Sequence, residues 1–200
     1  MARSSAQRSL FDDLQETAEN GAELPREAVV TAPVEDPPLA ATLEGKSVYV
    51  VDSHSLIYQV FHALPEMSSP RGEPVGAVFG FARDLVFLLE EKKPDYLFCA
   101  FDMPGKTFRH ELFDQYKIHR PAMPAELVPQ IASIRRLIDT LGIPALGVER
   151  YEADDVLATI ARVTEELGGR CLLVTGDKDC RQLITDRAKL FNIRKNQIFD

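Results

Sequence analysis

The alternation of apolar and polar positions changes character near residue 46. Before it no helical or strand period is sustained, and Pro, Ala, Glu and Thr dominate, with Pro33, Pro37 and Pro38 close together. Such a stretch buries too little apolar surface to offset its ordering entropy. Residues 1–45 are therefore expected to form a disordered acidic extension, and residues 46–200 the folded part. From there, short apolar runs alternate with segments of helical period. Ser47–Val51, Tyr96–Phe101, Ile143–Val148, Cys171–Thr175 and Lys189–Ile193 read as strands. Ser53–Ala63, Gly76–Lys92, Ala125–Leu141 and Glu152–Leu167 read as helices, with Pro94, Gly142 and Gly168–Gly169 as stops. Residues 103–123 show no clean period. The alternation predicts an α/β domain with a mainly parallel sheet and helices on both faces.

Composition narrows the function classes. The chain has 200 residues and a formal net charge of −8, which taken alone argues against a nucleic-acid partner. That charge is uneven: residues 1–46 carry four basic residues against nine acids, and residues 47–200 carry nineteen against twenty-two. Three cysteines without metal-type spacing argue against a disulfide framework and a zinc site. No apolar run is long enough to span a bilayer and no signal segment opens the chain, so a cytoplasmic location and no membrane partner are expected.

Carboxylates recur where the strands end. VYVVD runs into Asp52, LFCAFD into Asp102, and LLVTGDKD into Asp177 and Asp179; Glu152, Asp154 and Asp155 open the helix after the third strand. A single Asp after a strand is commonly a turn or cap residue, and acids in a first helical turn suit its dipole. Four segments meeting at the carboxyl edge of one sheet, where ligands of open α/β sheets bind, would instead need cations to be stable there. Hard oxygen donors suit Mg²⁺ or Mn²⁺, two or more ions. Paired ions of this kind assist in-line phosphodiester displacement. No phosphate-cradling Gly-rich loop is present, and His54, His62, His110 and His119 are scattered, as packing or surface residues are. With the seven acids set aside as metal ligands, residues 47–200 carry a basic surplus, and the acidity reads as a metal site.

Between the second strand and the next long helix lies PGKTFRHELFDQYKIHRP. Lys106, Arg109, Lys117 and Arg120 are interleaved there with Phe108, Phe113 and Tyr116. Cations suit phosphates and rings stack on unpaired bases, whereas an ordinary amphipathic helix would pack its rings on the sheet. Tyr116 and Arg120, at i and i+4, are expected on one helical face. Because the segment follows Asp102 directly, its cations are expected near the acids.

These stretches together, VYVVDSHSLIYQVFHALP, RGEPVGAVFGF, FCAFDMPGKTFRHELFDQYKIHRPAMPAEL, YEADDVLATIA and VTGDKDCRQLI, resemble the 5′–3′ exonuclease (flap endonuclease, PIN-like) domain at the N-terminus of bacterial DNA polymerase I. The resemblance implies a PIN-like fold and metal-dependent cleavage of branched or 5′-flapped DNA and of RNA primer–DNA in replication and repair. It places the metal ligands at Asp52, Asp102, Glu152, Asp154, Asp155, Asp177 and Asp179, and the catalytic tyrosine, lysine and arginine at Tyr116, Lys117 and Arg120. Arg109 and Lys106 become DNA contacts, and the location becomes nucleoid-associated.

Two departures accompany it. Gln59 stands where many members carry an arginine. The family's further aspartates and its helix–three-turn–helix are not found before Asp200, so these residues are expected to be the N-terminal part of such a domain, incomplete alone. In the extension, Gln7, Leu10 and Phe11 resemble a QxxLF peptide that docks on the sliding clamp. A catalytically incomplete DNA-binding module and an RNA-cleaving PIN-like nuclease remain the alternatives.

Overall fold

The computed structural model describes residues 42–119 and 122–200. The QRSLF peptide and Arg120 lie outside them.

Six strands form one sheet in the order β3-β2-β1-β4-β5-β6. They are β1 (Ser47–Asp52), β2 (Tyr96–Ala100), β3 (Ala145–Leu146), β4 (Arg170–Val174), β5 (Ala188–Asn192) and β6 (Gln197–Phe199). All neighbours pair in parallel except β5 and β6. β1 is central, with Val51 opposite Cys99 of β2 and Val174 of β4.

The apolar runs are continuous because both sheet faces are covered. Tyr49 and Val51 point into one core with Leu97, Cys99 and Phe191. Its helices are α1 (Ser53–Ala63), α2 (Gly76–Phe87) and α4 (Val128–Thr140). Val50, Ala100, Cys171 and Leu173 point into the other, against Val156, Leu157 and Ala161 of α5 (Ala153–Glu166). The connections leaving β1 and those returning to β4 thus use opposite faces, which opens a crevice at the carboxyl ends of these two strands. Gly80 permits the close crossing of α1 and α2: a Cβ there would lie 2.8 Å from Val60 Cβ.

Several elements differ from the sequence reading. The helix from Gly76 stops at Phe87 and widens into a π turn, Leu88–Lys92, before Lys93 exits at φ 48°. Pro94 disfavours the helical region for Lys93, so the chain leaves by the left-handed one. Only Ala145 and Leu146 of the third strand pair as a strand, flanked by Pro144, which has no N–H to give a ladder. Residues 114–119 form turns, and Lys117 has φ 55°. The helix expected to carry Tyr116 is corrected accordingly: Tyr116 lies in the turns, and the helix in this segment is a short one, α3 (Phe108–Leu112). The 3₁₀ turn Asp179–Leu183 and the antiparallel β6 were not foreseen.

Candidate active site

Asp52 is the last residue of β1, and it also caps α1: its Oδ1 accepts the Ser55 N–H at 3.0 Å. Its Oδ2 accepts the Thr175 hydroxyl at 2.9 Å, and the same Oγ1 accepts the Asp177 N–H at 3.0 Å. One threonine therefore ties the acids that follow two adjacent strands. Asp102, two residues past β2, receives the Ala153 N–H on Oδ1 at 2.7 Å, which joins it to the start of α5. Its own N–H donates to His54 Nδ1 at 3.2 Å, and the His54 ring stands edge-on to Phe101.

Glu152 caps α5 reciprocally with Asp155, each side chain accepting the other's backbone N–H. Its two oxygens also receive the Lys117 ammonium at 2.8 Å and the Tyr116 hydroxyl at 3.0 Å. Asp154 accepts the Cys180 thiol on Oδ1 at 3.5 Å.

Asp52, Asp102, Glu152, Asp154 and Asp177 line one cleft of about 300 Å³, together with His54, Ser55, Tyr58, Gln59 and Lys117. Lys117 is the only lysine or arginine among the described residues lining it. Asp155 and Asp179 do not line this cleft. They face a neighbouring pocket of about 250 Å³ on the other side of Asp154, with Arg109 and Cys180. Asp155 is held there by Arg109, whose two terminal nitrogens reach its two oxygens at 2.7 Å each. Lys106 is exposed in the turn before α3.

Charge is poorly compensated inside the cleft. Burial pushes the Asp52 carboxyl up from 3.8 to about 6, and the nearby charges of Asp154 and Asp102 add to it against the Ser55 and Thr175 hydrogen bonds. Burial likewise raises Asp154, with Asp177 and Asp102 contributing. Outside the cleft the sign reverses: the Arg109 hydrogen bonds hold Asp155 below the usual carboxylate range. Burial pulls Lys117 down, but Glu152 outweighs it and the net shift is upward. Lys117 is therefore a firmly charged ammonium.

As the side chains stand, no three acidic, histidine or cysteine groups among the described residues enclose one ion. Their oxygens are engaged instead by Ser55, Thr175, Ala153, Tyr116 and Lys117. The donor set nevertheless fits divalent cations: five carboxylates share one open cleft with a single lysine, and burial, with the charges of Asp154 and Asp102 adding to it, disfavours the Asp52 anion there.

Thr175, Ser55 and Cys180 were not singled out as site residues from sequence, and His54, read there as a packing or surface residue, lines the cleft and accepts the Asp102 N–H. The first has a readable signal, a hydroxyl residue between an apolar strand and Gly-Asp. The cysteine and histidine contacts depend on tertiary placement alone.

Sheet order and acid-lined edge define a mostly parallel α/β domain with a carboxylate-lined crevice at its switch point. Residues 47–200 match the family model described as the 5′-3′ exonuclease, N-terminal resolvase-like domain, and the chain belongs to that family. It is 46% identical over 143 residues to a DNA polymerase I of Chloroflexus aurantiacus, covering 70% of this chain and 15% of that protein. It is 36% identical over 154 residues to a 5′-3′ exonuclease of Aquifex aeolicus, covering 77% of this chain and 53% of that one. The chain thus spans about half or less of these relatives. Among solved structures, a T5 5′-exonuclease with bound zinc superposes with a TM-score of 0.62 at 17% identity, over 77% of this chain and 58% of that one. A bacteriophage T5 D15 flap endonuclease in complex with DNA and metal ions superposes with a TM-score of 0.61 at 16% identity, over 77% and 57%. These likenesses show that the α/β fold is shared. No helix among the described residues is long and apolar enough to cross a membrane.

Proposed function

We propose that this chain contributes the catalytic cleft of a divalent-metal-dependent 5′–3′ exonuclease and flap endonuclease, acting on 5′ ends and 5′ flaps of DNA, RNA primers included. The observation that carries the reading is the cleft itself, five carboxylates and one lysine at the switch point of a parallel sheet. Asp52, Asp102, Glu152, Asp154 and Asp177 would hold Mg²⁺ or Mn²⁺; Asp179 and Asp155 line the neighbouring pocket. Bound ions would supply a hydroxide nucleophile near neutral pH and charge stabilisation for the leaving oxygen.

The chain's own groups supply orientation and charge. Thr175 and Ser55 fix the Asp52 carboxylate, and Ala153 fixes Asp102. Lys117 sits at the mouth of the cleft on a turn, where its ammonium can leave Glu152 for a non-bridging phosphate oxygen and offset charge that grows there. Tyr116, beside it, offers a hydroxyl donor and a ring face for an unpaired base. Arg120 is assigned the same phosphate-facing role by its place in the motif, and Lys106 an outer phosphate contact. The QRSLF run of the extension is assigned to clamp docking through Leu10 and Phe11, with Gln7 as the polar contact. A nucleoid-associated location follows from such substrates.

The test is single-turnover cleavage of an end-labelled 5′-flap duplex by the full-length protein in Mg²⁺ and in Mn²⁺. Release of the flap that stops on chelation supports the reading. Tight flap binding without cleavage in either ion would establish the DNA-binding alternative, and preference for single-stranded RNA would establish the ribonuclease one.

A further inference from the structure

The segment that carries Lys117 is fastened to the start of α5 by contacts outside the cleft. The Phe108 N–H donates to the Arg150 carbonyl at 2.9 Å, and the Phe108 and Tyr151 rings lie 5.5 Å apart. Glu111 receives Arg150 at 2.6 Å. At the centre is Arg109, bidentate on Asp155 at 2.7 Å, while the same Asp155 Oδ2 accepts the Glu152 N–H at 2.9 Å. Arg109 also stands 3.7 Å from Glu152 Oε2 and lies over the Phe108 ring.

From this geometry we infer that Arg109 and Asp155 act as a positioning pair: their bidentate bridge sets the Glu152 side chain and holds the loop bearing Tyr116 and Lys117 over the cleft. This deepens the nuclease reading and rests on it. Asp155 is therefore not a metal ligand, because both its oxygens are engaged by Arg109 and it faces away from the cleft. Arg109 is not a phosphate contact, because its guanidinium fork is committed to a carboxylate. The bridge works through Glu152, which caps α5 on one side and meets Lys117 and Tyr116 on the other.

The experiment uses the full-length protein with Arg109→Lys, Arg109→Ala, Asp155→Asn and the Arg109→Ala/Asp155→Asn double variant. Three readouts are taken: Mn²⁺ affinity by calorimetry, flap affinity in Ca²⁺ by anisotropy, and the single-turnover rate at saturating protein. Tryptic cleavage at Lys117 serves as a fourth that needs no activity. Each single alanine or asparagine variant is expected to slow the saturated rate by about 10-fold or more, as loss of groups that orient ligands does. The double variant is expected to be no slower than the worse single one, the signature of one coupled interaction. Tryptic cleavage at Lys117 should rise in all three, Mn²⁺ affinity should hold within about two-fold, and Arg109→Lys should recover part of the rate.

A selective loss of Mn²⁺ affinity in Asp155→Asn would overturn the proposal by making Asp155 a ligand. Weakened flap binding with an unchanged saturated rate in Arg109→Ala, additive with Asp155→Asn, would overturn it by making Arg109 a phosphate contact. Unchanged trypsin sensitivity at Lys117 would overturn the loop-holding role whether or not the protein cuts DNA. Absence of cleavage by the unmutated protein would instead count against the nuclease reading, leaving the trypsin result to judge the pair.

Discussion

The Thr175 hydroxyl donates to Asp52 Oδ2 at 2.9 Å while its oxygen accepts the Asp177 N–H at 3.0 Å, so one side chain on the β4 exit fixes acids from two strands. Both Thr175 and Asp52 are buried, and water has little access to replace the bond. Thr175→Val should therefore cost about 1.5–3 kcal/mol at pH 8, where Asp52 is charged. The loss should shrink near pH 4, where Asp52 is protonated. Urea unfolding at the two pH values checks both; equal losses would place the effect in packing.

Asp52 itself makes a prediction in pH. Its folded value, about 6, lies above the ordinary 3.8, so protons favour the folded state. The stability this group contributes is fully present below pH 3.8 and is lost as pH climbs through about 6. About two pKa units correspond to roughly 3 kcal/mol for a group buried this deeply. In chelator, Asp52→Asn, which keeps a helix-capping side chain, should gain on the unmutated protein between pH 4 and pH 7. Saturating Mg²⁺ should reverse the gain, since cations stabilise the carboxylate. A stability difference independent of pH would show that Asp52 is not destabilised by its surroundings.

Asp177 and Lys117 border the same cleft with opposite charge, and their removal should separate two steps. Asp177→Ala is expected to abolish cleavage while flap affinity in Ca²⁺ stays within several-fold. Lys117→Met should leave metal affinity intact and slow the saturated single-turnover rate by about 10²-fold. Measuring affinity and rate on the same preparations distinguishes the roles; a rate unaffected by Lys117→Met excludes charge stabilisation by that ammonium.

Gly80→Ala tests the helix pair that supports α1 behind Asp52. The new Cβ would lie 2.7 Å from Leu64 Cδ1 and 2.8 Å from Val60 Cβ. Leu64 can turn aside, but Val60 is buried and its Cβ is fixed to the α1 backbone. Thermal unfolding should show a loss of about 1–3 kcal/mol from forced separation of the helices, although alanine favours helix more than glycine.

Much of this was legible in the residues. The apolar runs of β1, β2 and β4 and the acids after them place Asp52, Asp102 and Asp177 on one edge, because parallel strands all end on the same side. The helical periods of α1, α4 and α5 are also plain. What sequence could not show is the division of the seven acids. Glu152, Asp154 and Asp155 are consecutive or nearly so, yet one turn of helix sends Asp155 toward Arg109 and leaves Glu152 and Asp154 in the cleft. Lys117 was identifiable as a cation, but its left-handed backbone was not, since nothing in QYKIH signals a break in helix. Tertiary contacts decide that conformation: Glu152 holds its ammonium and the Tyr116 hydroxyl from across the chain.

Glu152 caps the first turn of α5 with the same carboxylate that it presents to Lys117. A cation that drew this side chain inward would leave the Asp155 amide only the Glu152 backbone carbonyl, at 3.0 Å, as acceptor. Cleft occupancy would thereby change the acceptors of one helix-terminal amide from two to one, and hydrogen exchange there is expected to follow ion loading without DNA and without turnover.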